Sequence, residues 1–598
     1  MKKISGLFFL LLTGAILPAL VVSVHAEDSA LEIRYRVRIS GVADRDLRND
    51  LMSVSDTEAL QDRPPISIMQ LRRRAERDVP RFIQVLRSHG HYDASVDVRL
   101  RTDRTPARVR FEIEPGPLYK FRDVRIVPRT DDNDKPRPPP PEKVGLVPGE
   151  PALARAIIRA EDRIVQALRG EGYPFARADE RDVRVEHAAR AVDVTYRYHA
   201  GDFAVFGETD VDGLSSVRER FVRGKIPWQP GEPFDGRLLR LAQRRMTDSD
   251  LFSSVRVVKG EELTDEGALP LQIVLSERRH RSIGFGVGYA SDEGARGRVM
   301  WEHRNLLREG ERLGLLWSAS EIGYAVETRF LKPDFLRVDQ ALRITLRAAL
   351  DDTDAFRSRN VGGLVGVERT LRRGLLAGLG TGFRYSSVRD ATEEKRFGLV
   401  YVPVHMDWDT SDDLLDPRGG GRLGVRVAPY RDVIDSEVTF FKGRLSGTRY
   451  IGVARRPELD LAVRGVAGSV VGAARDDVPA DERFYAGGGG SVRGYEYQSV
   501  GPLDEDDSPV GGKSMLLLSS ELRWRINNEF GLVGFVDGGT AFADSVPEDL
   551  DDVLWGAGFG VRYFTPVGPL RFDLAFPLDR RSGVDEAYQF YISLGQAF

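Results

Sequence analysis

Two hydrophobic rhythms divide this chain near residue 280. Upstream, apolar residues recur at helical spacing between short alternating strands. Downstream, apolar and polar positions alternate two by two over long runs, separated by polar, Gly-rich turns. The C-terminal end shows the second rhythm best. Val553, Trp555, Ala557, Phe559, Val561 and Tyr563 alternate with a second set that includes Gly556, Gly558, Gly560 and Arg562. Leu570, Phe572, Leu574, Phe576 and Leu578 then alternate with Arg571, Asp573, Ala575 and Pro577, and the last segment places Tyr588, Phe590, Ile592, Leu594 and Phe598 on one face.

The first rhythm is repeated at a spacing of roughly 80 residues. "VPGEPALARAIIRAEDRIVQALRGEGYPFA" begins at Val147 and "QPGEPFDGRLLRLAQRRMTDSDLFSSVRV" at Gln229. Leu153, Ile157, Ile164 and Leu168 share one helical face in the first, and Leu238, Leu241, Ala242 and Met246 in the second. A diverged upstream copy has Leu71, Ala75, Val79, Phe82 and Leu86, with Pro80 expected to kink or divide its helix. Each copy opens on a strand ("YRVRISGV", "FRDVRIVP", "ETDVDGL") and closes on alternating strands such as "ARVRFEIEPG". The order predicts a small sheet covered by helices on one face, with a free edge able to accept an added strand. "DDNDKPRPPPPEK" (131–143) reads as a solvated insert, and Arg72, Arg73 and Arg74 as a solvated helix face.

Two settings produce the second rhythm: a soluble antiparallel sheet on a core, or a membrane barrel with its apolar face on lipid and a polar interior. The run of strands without helices, the aromatics near strand ends and the apolar-alternating C-terminus favour the barrel. At about 20 residues per strand and loop, it predicts about 16 antiparallel strands.

The ends and the composition fit export. Lys2 and Lys3 precede the apolar "LFFLLLTGAILPALVV", and Val24-His25-Ala26 offers small residues for cleavage, which predicts a signal peptide over residues 1–26. The 598-residue chain has no cysteine, which excludes disulfides and thiolate metal sites. A net charge of −4 gives no electrostatic case for nucleic-acid binding. No nucleophile–base–orienter set and no zinc spacing stand out among the residues, so neither an enzyme nor a cofactor is expected.

One loop carries candidate chemistry. "FYAGGGGSVRGYEYQSVGP" (484–502) is glycine-rich but lacks a lysine at phosphate-loop spacing, and "GGKS" (511–514) has Asp507 where such a loop needs glycine. A loop that places one arginine is the better reading. In "GGKSMLLLSSELRWRI", Leu516, Leu518, Leu522, Trp524 and Ile526 share the lipid face, while Ser519, Glu521, Arg523 and Arg525 share the interior. Asp537 lies on the next strand. Arg493, on a loop folded back into the lumen, could pair with Glu521 and Asp537. "DTSDDLLD" (409–416) reads as a turn rather than a calcium loop, because Leu414 stands where glycine is needed. "DEDD" (504–507) reads as a solvated extracellular run.

Val492-Arg493-Gly494-Tyr495, the Gly511-Gly512…Ser519-x-Glu521 strand, the Phe535-x-Asp537-x-Gly539 strand and the aromatic C-terminus together resemble the BamA/TamA outer-membrane assembly superfamily. The repeats resemble its POTRA (polypeptide-transport-associated) domains, and three of them at this length resemble the TamA branch, the translocation and assembly module subunit. The resemblance implies POTRA units over 27–116, 117–201 and 202–278 and a transmembrane barrel over 279–598, in the outer membrane of a Gram-negative bacterium with the POTRA units in the periplasm. It implies an inner-membrane-anchored TamB-like partner, autotransporter-type clients and outer-membrane lipid, with no nucleic acid. It also implies a lateral gate between the first strand, with Gly284, Gly286 and Gly288, and the last, ending at Phe598. The alternatives are a BamA-like general insertase, a two-partner-secretion pore and a passive porin-like channel.

Overall fold

The computed structural model describes residues 33–129, 136–390, 393–435, 437–455, 457–547, 549–566, 568–594 and 596. The export signal, the start of the Pro-rich insert and Phe598 lie outside them. Two compact units result. One holds the first two repeats, and the other holds most of the third repeat and everything after it.

Each repeat is a three-stranded sheet whose last strand lies in the middle. In the first, Ala107–Glu114 runs parallel to Tyr35–Ser40 and antiparallel to Ser95–Arg101. The second repeats this with Lys120–Pro128, Arg177–Glu186 and Ala191–His199, and the third has the same strand order with Val205–Asp212, Phe252–Lys259 and Ala268–Glu277. The strand alternation explains the layer. Ala107, Val109, Phe111 and Ile113 are buried on one face, against Leu71, Ala75, Phe82 and Leu86 of the helix Ile68–Ser88. That helix is capped by Ser67, which accepts from the Gln70 amide at 3.2 Å.

Two expectations are corrected here. Pro80 does not divide the helix, which runs unbroken to Ser88. The buried residues on both sides of Pro80 hold it together, so packing outweighs the lost backbone bond. Arg74 is not a solvated side chain like its neighbours Arg72 and Arg73. It donates to the Tyr35 hydroxyl at 2.8 Å and the Leu60 carbonyl at 3.2 Å.

Beyond the third sheet the chain closes into an antiparallel barrel. Its strands are β1 (Arg281–Ala290), β2 (Gly294–His303), β3 (Arg312–Ser320), β4 (Gly323–Lys332), β5 (Gln340–Asp352), β6 (Arg357–Arg372), β7 (Leu375–Arg389), β8 (Glu394–Tyr401 and Val404–Asp409), β9 (Gly420–Asp432), β10 (Thr439–Arg455), β11 (Glu458–Val471), β12 (Ser514–Arg525), β13 (Phe530–Phe542), β14 (Leu554–Thr565), β15 (Gly568–Pro577) and β16 (Gln589–Leu594). β8 is one strand in two segments, because both halves pair with β7 and β9 across a break at Val402–Pro403. Proline has no amide to donate to the ladder. The barrel therefore has sixteen strands.

The lipid face follows the predicted alternation. Leu516, Leu518, Leu522 and Trp524 point outward and are exposed, whereas Ser519, Glu521 and Arg523 are buried inside. The interior is not uniformly polar, contrary to expectation. Inward-facing Val388, Phe397, Leu399, Phe440, Val466 and Val470 form an apolar core with Val478, Phe484, Val492 and Tyr495 of the loop after β11. A loop that folds inside a barrel needs apolar surface of its own to bury, and the facing wall supplies it.

Candidate functional site

The loop between β11 and β12 (472–513) carries Arg493 into the lumen, as its sequence suggested. Its guanidinium grips Asp537 with two bonds, Nε to Oδ2 at 2.6 Å and Nη2 to Oδ1 at 2.9 Å. Nη1 donates to Glu521 Oε1 at 2.8 Å and to Asp573 Oδ2 at 3.1 Å. The plane lies over the Phe535 ring, with Cζ 3.5 Å from its centroid. Arg493 is 2% exposed, and the side chains of all three carboxylates are fully buried.

Neighbouring residues shape this seat. Gly494 has φ +102°, and a Cβ there would stand 2.8 Å from the Phe576 carbonyl carbon, so both conformation and space require glycine. A Cβ on Gly556 would stand 2.0 Å from the Arg493 carbonyl oxygen. Val492 and Tyr495 are fully buried, and the Tyr495 hydroxyl donates to the Trp555 carbonyl at 2.9 Å. Of the residues singled out from the sequence, Arg493, Glu521 and Asp537 meet, and Val492, Gly494 and Tyr495 flank that contact.

The sequence reading missed the size of the network. Asp573 on β15 is a third carboxylate, and it also pairs with Arg562 on β14 and Arg571 on its own strand. Arg523 pairs with the other oxygen of Glu521 at 2.8 Å. The alternation already placed Asp573 and Arg562 off the lipid-facing set. What it lacked was the stagger between strands, which decides which interior residues meet.

The three glycines of β1 lie elsewhere in the barrel. Gly284, Gly286 and Gly288 sit between the outward-facing Ile283, Phe285, Val287 and Tyr289, all strongly exposed. The Arg298 side chain lies where a Cβ of Gly286 would reach, and Arg296 does the same at Gly288. β1 is paired with β2 along its whole length. Among the described residues, its ladder with β16 has only Tyr289↔Ile592 and Ala290↔Tyr591, extended by a Ser291 amide bond to the Phe590 carbonyl at 3.0 Å. The rest of the β1 edge has no β16 partner among the described residues.

The other end of β1 is tied to the third repeat. Glu277 accepts from the amides of Ser215, Ser216 and Val217 at 2.8–3.0 Å and from the Ser216 hydroxyl at 2.5 Å. Burial opposes its charge, but these bonds prevail and hold its carboxyl well below the usual range. Ser216 also bonds His280, and Arg308, from the turn between β2 and β3, donates to the Ser216 carbonyl at 2.9 Å.

Comparison with known proteins bears on the fold. A family model for the Omp85 superfamily domain matches residues 305–598. Two relatives are named outer membrane protein assembly factor BamA. That of Nitratidesulfovibrio vulgaris is 26% identical over 547 residues, spanning 88% of this chain and 68% of its own. That of Neisseria meningitidis is 20% identical over 586 residues, spanning 87% and 72%. Among solved structures, Haemophilus ducreyi BamA lacking POTRA domains 1–3 shares the fold, with TM-score 0.63, 18% identity, and coverage of 80% of this chain and 100% of that one. These likenesses and the sixteen-strand barrel indicate an outer-membrane protein of Gram-negative type, with POTRA-like units in the periplasm.

Proposed function

We propose that this protein inserts β-barrel proteins into the outer membrane, in the manner for which its BamA relatives are named. The short seam between β1 and β16 among the described residues carries this reading. Eight residues, Arg281 to Gly288, have no β16 partner among the described residues, although β1 is fully paired on its other side. Unpaired backbone groups in lipid are costly and favour an incoming strand. Ile283, Phe285 and Val287 would face lipid beside such a client, and the glycines between them ease bending. Strand exchange and client folding supply the energy. The lumen filled by its own loop fits an insertase better than an open secretion pore or a porin.

A TamA-like role is the second reading. Three repeat sheets support it, assigned as POTRA units 27–116, 117–201 and 202–278 ahead of a barrel at 279–598. That role brings a TamB-like partner and autotransporter-type clients. Co-purification with a large periplasm-spanning protein separates it from the general insertase.

The chain has no native cysteine, so a seam lock is clean. With Tyr289→Cys and Ile592→Cys oxidised, vesicles holding the protein should stop accelerating the folding of an added outer-membrane barrel protein, and reduction should restore it. Unimpaired insertion through a locked seam would sink the gate.

A further inference from the structure

We propose that the lumen loop has a second, separate anchor, in which Asp481 and Glu482 act as positioning residues on the wall facing the arginine site. Asp481 accepts from Ser358 Oγ of β6 at 2.8 Å and from Arg384 Nη2 of β7 at 3.1 Å. Glu482 pairs with Arg384 Nη1 at 2.8 Å and with Lys442 Nζ of β10 at 2.7 Å. The two carboxylate side chains are 5% and 9% exposed. These are built contacts from three strands, not a solvated acidic turn.

Strand order gives the anchor its meaning. Arg384 stands on β7 and Asp573 on β15, eight strands apart in a closed ring of sixteen. They face each other across the lumen. Arg493 holds the loop to β12, β13 and β15, while Asp481 and Glu482 hold it to β6, β7 and β10. The segment between is stiffened. Phe484 exchanges backbone bonds with Gly512, both 2.8 Å, and Arg483 donates to the Val510 carbonyl at 2.9 Å, joining the two limbs of the loop. The apolar core around Val478, Phe484, Val492 and Tyr495 packs the same segment against the wall. A stiff segment fixed at both ends is a crossbeam. It sets where Arg493 sits and closes the lumen to ions.

Neutralising one end leaves the partly buried Arg384 and Lys442 without these partners, which favours release of that limb. The ion current through the purified full-length protein in planar bilayers reads this release without any client. The pair Ser358→Cys with Asp481→Cys replaces the polar contact by a reversible bond. Reduced, it should show open events about tenfold more often than the parent protein, and oxidised, it should return towards the parent level. Equal currents in the two redox states, with the bond verified by thiol labelling, would overturn the anchor. Asp481→Asn with Glu482→Gln is the variant of least steric change, and it should raise the current while the barrel keeps its heat-modifiable gel mobility. Parent-like currents from that folded variant would also overturn it. The inference rests on the barrel and its plug rather than on the insertase reading. Failure of the parent protein to speed client insertion would count against that reading alone and would leave the current assay intact.

Discussion

The chain contains two arginine–aspartate pairs of nearly the same geometry in very different surroundings. In the second repeat, Arg122 grips Asp193 through Nε at 2.9 Å and through Nη2, with side chains 49% and 26% exposed. In the lumen, Arg493 grips Asp537 in the same forked way, with side chains 2% and 0% exposed. Water competes for the first pair and screens it. The second pair has only protein around it. Its charges were costly to bring out of water, so each partner now depends on the other. A list of salt bridges would rank the two alike. Burial separates a surface detail from a part of the mechanism.

The largest effect should come from breaking the buried pair. Among the described residues, Arg493 is the one cation paired with Asp537, whereas Glu521 and Asp573 keep Arg523, Arg562 and Arg571. Arg493→Ala should therefore strand Asp537 in particular, at a cost of about 3–5 kcal/mol. The folded, heat-modifiable form should be lost at a clearly lower temperature, with the loop newly open to protease. Adding Asp537→Asn removes the stranded charge and should recover part of the loss. A double variant no more stable than the single one would contradict this reading of the pair.

Glu277 is an intermediate case, held by backbone amides and a hydroxyl instead of an arginine. Its carboxyl is held below the ordinary value, so the carboxylate favours the folded junction. That contribution is complete above the unfolded value of about 4.3 and fades as pH falls through the folded one. Glu277→Gln should loosen the 215–217 turn of the third repeat, whose Ser216 bonds His280 just before β1, seen as faster proteolysis within residues 213–217 at neutral pH. The gap between variant and parent should narrow below about pH 4. A gap that stays constant with pH would assign the effect to shape rather than charge.

Much of this was legible in the sequence because alternation in a barrel is a statement about two solvents. Leu516, Leu518 and Leu522 could face only lipid, so Glu521 had to face inward, and an inward carboxylate called for a cation such as Arg493. The strand total was legible too, from a spacing of about 20 residues per strand and loop, and the break at Pro403 splits β8 without adding a strand. Contacts set by closure were not legible. Asp573 joins Glu521 and Asp537 only once β12 to β15 take their stagger. The apolar lumen core was hidden for a related reason. Val466 and Val470 lie on an inward face that the barrel rhythm assigns to polar residues, and only the loop folding onto them makes them core. The Asp481–Arg384 contact joins residues 97 apart, with four strands between them and no local signature in either segment.

The smallest effect belongs to the exposed pair. Arg122→Ala should leave the melting of the repeat unit within measurement error, because water replaces the guanidinium at Asp193 without leaving a buried charge. Salt provides an independent check. Raising ionic strength should erase any residual difference between Arg122→Ala and its parent, whereas the Arg493→Ala deficit should persist because buried charges are screened much less. Equal salt sensitivity at the two sites would mean that the lumen admits mobile ions to Arg493. Its burial would then no longer account for its weight in the fold.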